Sequence, residues 1–329
     1  MTTDTFTPVS QRARGTALLL TASVFFSSSG PIAKPAMAAG LTPQQVASVR
    51  IGLAAVILLV ALAVFKPSLL RVRVQDWRML AGYGLFGVAG AQFCYFASVS
   101  RLPVGIAMLL EFTAPLLVAL WVRFARKTML PRQAWIGTGV AFAGLAMIAQ
   151  VWEGLRLDAI GVLAGVGAAV CAACYFLIGE RALTTRHPLT VTTWGMVVGA
   201  IALIALAPPW TLPAEILVRP TPLGPVWTQL IAVSLLSTVL AYIFGMSGMR
   251  HLPSNVASVL ALAEPVVATA LAYFLLGEQL TVVQIIGGIV LLGGAFWVQR
   301  ASQPPAGEAI HLPMDPSGQL PGPSLAKRD

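Results

Sequence analysis

Between Gly15 and Val298 the chain is divided into ten apolar runs of roughly twenty residues, separated by short polar links. A helix of that length just crosses the hydrocarbon core of a bilayer. A helix is also one of the few structures that satisfies its own backbone there. The runs fall near 15–38, 44–65, 77–99, 103–122, 133–151, 159–179, 189–207, 227–248, 254–276 and 281–298. The expected fold is an all-α integral membrane protein with ten transmembrane helices. Only 10% of residues are charged, where soluble domains carry about a quarter. Arg12 and Arg14 before the first run and AMAAG after it have the outline of a cleaved signal peptide, but the repeat described below argues that this run is retained.

The net charge of +9 is read as topology rather than as a nucleic-acid surface, because the cations sit in short links. With the N-terminus in the cytoplasm, the inner side receives Arg12, Arg14, Lys66, Arg71, Arg73, Arg78, Arg123, Arg126, Lys127, Arg132, Arg181, Arg186, Arg250 and Arg300. The outer links hold only Arg101, Arg156 and Arg219. This imbalance favours both termini on the inner side of a cytoplasmic membrane. The segment 1–14 is then a cytoplasmic lead, and the Pro-, Gly- and Ser-rich stretch 301–329 a disordered cytoplasmic tail.

The chain also repeats. An offset of 150 lays LPVGIAMLLEFTAPLLVAL (102–120) on LPSNVASVLALAEPVVATA (252–270), matching Leu102 to Leu252, Pro103 to Pro253, Ala107 to Ala257, Leu110 to Leu260 and Pro115 to Pro265. It goes on to match Phe124 to Phe274, Leu130 to Leu280, Gly137 to Gly287 and Gly144 to Gly294. A weaker offset of 146 sets Gly15 and Ala36 on Gly161 and Ala182. Two five-helix halves follow, over 15–151 and 159–298. Five is odd, so the second half enters the membrane from the opposite side. The cations support this, since Arg123, Arg126, Lys127 and Arg132 face Tyr273, Leu276, Gly277 and Val282 in the second copy. Inverted repeats of this kind mark secondary transporters.

Four ionisable residues lie clearly within the runs: Lys34, Arg50, Glu111 and Glu264. A charge near the middle of a span costs about 2.5–3.5 kcal/mol, so it faces protein, water or a partner. In the frame of the first half Glu264 falls at Ala114, three residues from Glu111 and on the same helical face. If those faces meet at the pseudo-twofold axis, both acids line one central cavity. Pro115 frees the carbonyl of Glu111, Pro265 that of Ala261 and Pro31 that of Ser27, and a freed carbonyl beside a watery path becomes a binding group. SSSGPIAKP in the first run, with Ser27 and Pro31, reads as a hinge lining polar space. The aromatic residues Tyr95, Tyr175 and Trp194 are candidates to touch substrate.

Plainer roles stay open at this level. A glutamate can lock two helices by pairing with Arg50 or Lys34, Arg50 can snorkel outward as an anchor, and the aromatic residues can simply pack. Lys34 reads as an interfacial anchor, and Glu278 as a residue of an external turn. Cys171 and Cys174 have redox spacing but sit in an Ala-rich apolar run, where they read as small packing residues. His187, His251 and His311 are too scattered for a metal site. No cofactor motif is present.

Taken together, a run beginning LP, a mid-run LEFTAP or LAEP, the ending LLGEQLT and the helix VVQIIGGIVLLGGAF resemble the EamA-type members of the drug/metabolite transporter superfamily. The resemblance covers 15–300 in two copies, and GIAMLLEFTAPLLVAL and GERAL are similar to stretches of bacterial threonine/homoserine exporters. It implies a central cavity built from both halves and export of small metabolites such as amino acids. It also implies roles for Glu111, for Glu264 with Pro265, and for Arg50. The link RFARKTMLPRQ lacks the Gly-Glu ending that many first halves carry, so no acidic role passes to it. The expectation is a secondary-active exporter working by alternating access, with a small-molecule substrate, a lipid environment and protons as a coupling ion. A membrane-embedded enzyme or a channel is the alternative, but neither clustered metal carboxylates nor a filter motif appears.

Overall fold

The structure, a computed structural model, describes residues 8–102, 104–150, 158–276 and 281–301. Pro103, Arg156, Glu278, Leu280, the first seven residues and the tail from 302 onward lie outside the described residues.

Ten helical rods cross the molecule, several of them broken. Rod 1 is α1 (Pro8–Ser27) followed by α2 (Ser29–Ala38), and rod 2 is α3 (Pro43–Phe65). Rod 3 runs from α4 (Trp77–Gly82) through a wide π-helical stretch, Tyr83–Gly90, into α5 (Ala91–Val99). Rod 4 is α6 (Val104–Glu111) and α7 (Ala114–Phe124), and rod 5 is α8 (Arg132–Ile148). The second half repeats the order. Rods 6 and 7 are α9 (Ala159–Leu183) and α10 (Pro188–Leu206). A link containing the short α11 (Ala214–Leu217) leads to rod 8, where α12 (Val226–Ser234), a π-helical stretch Leu235–Leu240 and α13 (Ala241–Met249) follow one another. Rod 9 is α14 (Ser254–Leu260) with α15 (Ala263–Leu276), and rod 10 is α16 (Val282–Ala301). Among the described residues, eight helical stretches are long and apolar enough to cross a membrane, and Val282–Val298 is a shorter apolar helix. With the 17-residue α8 they make up the ten.

Local chemistry sets where the rods start. Thr42 and Gln45 form a reciprocal capping box at α3, with Pro43 in the first helical position. Thr281 and Gln284 make the same pair of backbone bonds at α16, at 3.0 and 3.2 Å. Asp158 caps α9 by accepting the Gly161 N–H at 2.7 Å.

Packing confirms that the repeat is inverted. A side-chain carbon built on Gly137 would stand 2.8 Å from Val298, and one built on Gly287 would stand 2.7 Å from Met147. The start of α8 therefore meets the end of α16, and its end meets the start of α16. These two helices are repeat-related yet antiparallel, and glycines on both let the backbones nearly touch. The crossings of rod 1 and rod 6 are related in the same way. A carbon on Gly15 would meet His251 at 2.7 Å and Leu252 at 3.0 Å, while one on Gly161 would meet Leu102 at 2.8 Å and Arg101 at 2.9 Å. The two pairs are connected by the offsets that relate the halves, 146 for the glycines and 150 for their partners.

The links sort to two ends. At one, Arg186 pairs with Asp76, Thr190 and Trp194 donate to the carbonyls of Leu69 and Leu70, and Gly15 meets His251. We refer to this as the basic end, since it gathers the cationic links. At the opposite, bare end Arg219 donates to the Ala39 carbonyl and Arg101 lies 3.8 Å from Asp158. The largest core fills the space between, drawing Ile51 and Leu58 of α3, Tyr83 and Val88, Val118 of α7, Met196 of α10, Met246 of α13 and Ala257 of α14.

Candidate functional site

Three broken rods bring the site together. In rod 4 the helix stops at Glu111 and restarts at Ala114, with Pro115 as its second residue. In rod 9 it stops at Leu260 and restarts at Ala263, which puts Glu264 and Pro265 in the first turn of α15. In rod 1 it stops at Ser27 and restarts at Ser29, ahead of Pro31. A proline cannot supply the amide that would continue the preceding turn, so each proline follows a break by a few residues. One expected consequence needs correction. The Ala261 carbonyl is not left free by Pro265, because Glu264 donates its own N–H to it at 3.0 Å in a tightened turn. The carbonyl drawn into side-chain bonding is that of Glu264, which accepts the Ser27 hydroxyl at 2.8 Å. Rods 1 and 9 are thereby joined break to break.

Arg50 enters from α3 and is only 9% exposed. Its Nη1 donates to the Ser29 hydroxyl at 2.6 Å, while its Nε is buried with no hydrogen-bond partner. The outward-anchor alternative is thus excluded, since the guanidinium turns into the bundle. It lies within electrostatic reach of Tyr242, Glu264, Glu111 and Tyr95, and the two glutamates lie within reach of one another. Among the described residues no ion-pair contact joins Arg50 to either carboxylate, so the charges share a site without locking it. Lys34 is exposed.

Aromatic residues form one wall. Tyr175 of α9 packs edge-on against Tyr242 of α13 with ring centroids 5.7 Å apart, and against Tyr83 at 5.6 Å. Phe26, next to the rod 1 break, meets Tyr242 edge-on at 5.0 Å. Ser28 and Ser237 share a 2.7 Å hydrogen bond that ties the same break to the π-helical stretch of rod 8. Of the residues singled out in the sequence, Glu111, Glu264, Arg50, Ser27, Tyr95 and Tyr175 converge here with the three prolines. Trp194 does not. It sits at the basic end, where its Nε1 donates to the Leu70 carbonyl at 3.2 Å and its ring meets Trp77 at 4.7 Å.

Sequence reasoning missed Tyr242, Tyr83 and Ser237. A usable signal was present: the chain has only 5 tyrosines, all in the membrane runs, and four of them, Tyr83, Tyr95, Tyr175 and Tyr242, gather around this site. Chemically, the arrangement offers a planar guanidinium with an unused N–H, which suits a carboxylate. Two carboxylates for a cation and an aromatic wall complete it.

Comparison with known proteins places this geometry in context. The profile of the EamA-like transporter family matches residues 13–150 and again 159–300. The chain belongs to the EamA-like transporter family. Within its reach, the threonine/homoserine exporter RhtA of Salmonella typhimurium is 31% identical over 250 residues, 74% of this chain and 80% of that protein. The transporter YyaM of Bacillus subtilis is 27% identical over 284 residues, covering 84% and 90% of the two chains. A solved crystal structure superposes with a TM-score of 0.73 at 20% identity, over 88% of this chain and 99% of that one, which supports the fold alone. As its family relatives are transporters, this EamA-like chain is a multi-pass membrane transporter and not an enzyme.

Proposed function

We propose that this transporter is a secondary-active exporter of small zwitterionic metabolites, amino acids above all. It works by alternating access, with the basic end and both termini in the cytoplasm. The observation that carries the reading is Arg50, buried in the bundle with an unpartnered Nε and within electrostatic reach of two carboxylates on repeat-related rods. A zwitterion matches that set: its carboxylate meets Arg50, and its ammonium meets Glu111 or Glu264. The exporter names of RhtA-type relatives point to the same class of substrate and to outward movement. The cation bias of the links supports a cytoplasmic basic end, and the inverted repeat supports exchange of two similar states about the midplane.

Protons are the coupling ion in this reading. One guanidinium and two carboxylates sum to one negative charge when all are ionised, and an unbalanced charge at mid-span is expensive. A proton removes it, whereas a zwitterion adds no net charge and its ammonium needs an ionised acid, so proton and ammonium compete for the same acids.

The test is uptake of labelled threonine and homoserine into liposomes carrying the purified protein and a pH gradient, with counterflow as a second readout. Wild type should saturate and show counterflow, and Glu111→Gln should lose the pH-driven component. Full pH-driven uptake by a well-folded Glu111→Gln would remove that residue from the mechanism. Flux without saturation would favour a channel.

A further inference from the structure

The two ends of the bundle are sealed differently. At the basic end α7 packs on α14, with Val118 and Val122 in one buried cluster with Val256, Ala257 and Leu260. The repeat-related halves at the bare end, α6 and α15, make no comparable contact among the described residues. The two rods that carry Glu111 and Glu264 thus pack directly on each other on the basic side of the site and not on the other among the described residues.

Glu180 of α9 stands at the closed end. Its Oε2 lies 2.5 Å from Arg126 Nη1, just past the end of α7. Its Oε1 accepts the N–H of Ser254, the first residue of α14, at 3.0 Å. A single side chain thereby ties rod 6 to rods 4 and 9, the two rods whose breaks carry the site glutamates. The offsets that relate the halves place Lys34, Leu276 and Val104 at the corresponding positions of the bare end. A lysine and two apolar residues cannot form the same tie, so the device belongs to one end only. A cavity of about 310 Å3, lined in part by Glu180, Thr184, Arg250 and His251, opens beside it. The side chains of Arg126 and Glu180 keep 39% and 21% of their exposure, although Glu180 Oε2 itself is buried.

We infer that Glu180 bolts the gate at the basic end. The state seen here is open toward the bare end, and release of Arg126 and Ser254 from Glu180 accompanies opening toward the basic end. This rests on the alternating-access reading above. A partly exposed ion pair biases a two-state equilibrium by only a few-fold, which suits a contact that must break in every cycle. Glu180 is a positioning residue and touches no substrate.

Accessibility tests the bolt without any substrate. Ala257 is fully buried in the closed floor, so Ala257→Cys reports opening when a membrane-impermeant maleimide is applied from the basic end. Labelling is read above the background of the three native cysteines. Glu180→Gln keeps an acceptor for Ser254 but loses the charge, Arg126→Ala removes the partner, and Ser254→Pro removes the N–H. A proline is tolerated at this first helical position. Each variant should label about five-fold faster than the parent, the size expected from such a pair. Glu180→Gln combined with Arg126→Ala should be no faster than either alone. Equal rates in all variants would overturn the bolt, as would faster labelling from both ends, which would signal general loosening. Should Glu180→Gln fold poorly, Arg126→Ala carries the test, because Arg126 is exposed. A clear labelling effect in a protein that moves no amino acid would refute the substrate reading and leave the gate standing.

Discussion

Arg50 reaches from the second rod to the break in the first, its Nη1 donating to Ser29 at 2.6 Å. The bond fixes one nitrogen of the guanidinium and leaves the Nε unpartnered. Arg50→Lys keeps the charge but loses the planar fork, and should lower the initial rate of amino-acid uptake by roughly ten-fold or more. Ser29→Ala removes only the tether and should cost about 1 kcal/mol, or five-fold. Uptake into proteoliposomes with both variants at matched protein content checks the order.

Glu111 and Glu264 share one electrostatic field. If they act on one substrate ammonium and one proton, their effects cannot add. Glu111→Gln and Glu264→Gln should each reduce uptake. The double variant should be no worse than the poorer single one, giving a coupling energy of about 1 kcal/mol or more. Fully additive losses in a double-mutant cycle would assign the two acids to separate tasks.

The contact between α8 and α16 has no room for a methyl group. A carbon on Gly144 would stand 2.6 Å from the Gly287 carbonyl oxygen, whereas one on Gly139 of the same helix meets nothing within 4 Å. Gly144→Ala should destabilise the protein by about 1–3 kcal/mol through overpacking. Gly139→Ala should be neutral or slightly stabilising. Thermal midpoints in detergent separate the two outcomes.

His187 and His251, in links at the basic end, are both held below the usual histidine range, first by partial burial and then by nearby cations. Those cations are Arg250 and Lys66 for His187, and Arg14 and Arg250 for His251. A histidine depressed in the folded state takes up more protons unfolded, so stability is present above the unfolded value of 6.5 and is lost as pH falls below it. His187 has a second reason to stay neutral, because its Nδ1 caps α10 by accepting the Leu189 N–H at 3.2 Å. The thermal midpoint should drop between pH 7 and pH 5, and His187→Asn, which can still cap, should weaken the drop. A midpoint that stays level over that range would refute this account.

The ten rods, the two halves and the two glutamates were legible because they are written in strong signals. Runs of apolar residues have few alternatives in a bilayer, and a charge inside one is rare enough to stand out. The π-helical stretches of rods 3 and 8 were not legible. A wide turn replaces one hydrogen-bond step by another without changing residue type, and GLFGVA and LLSTVL read as ordinary apolar helix. Trp194 was misplaced because an indole packs equally well at a link or in a site, and only its bond to Leu70 decides between them. The tie at Glu180 was invisible for another reason: Arg126 and Ser254 lie far from it in sequence, and only the fold brings them to it.

Those wide turns also bear on ancestry. The stretches Tyr83–Gly90 and Leu235–Leu240 end at the same register of the two halves, although their residues have diverged. A widened turn at one register of both copies points to a turn that predates the duplication. The single five-helix unit that carried it had to insert in both directions and pair with its own inverted copy. The cationic link between rods 4 and 5, which the second copy lacks, now sets the two orientations apart.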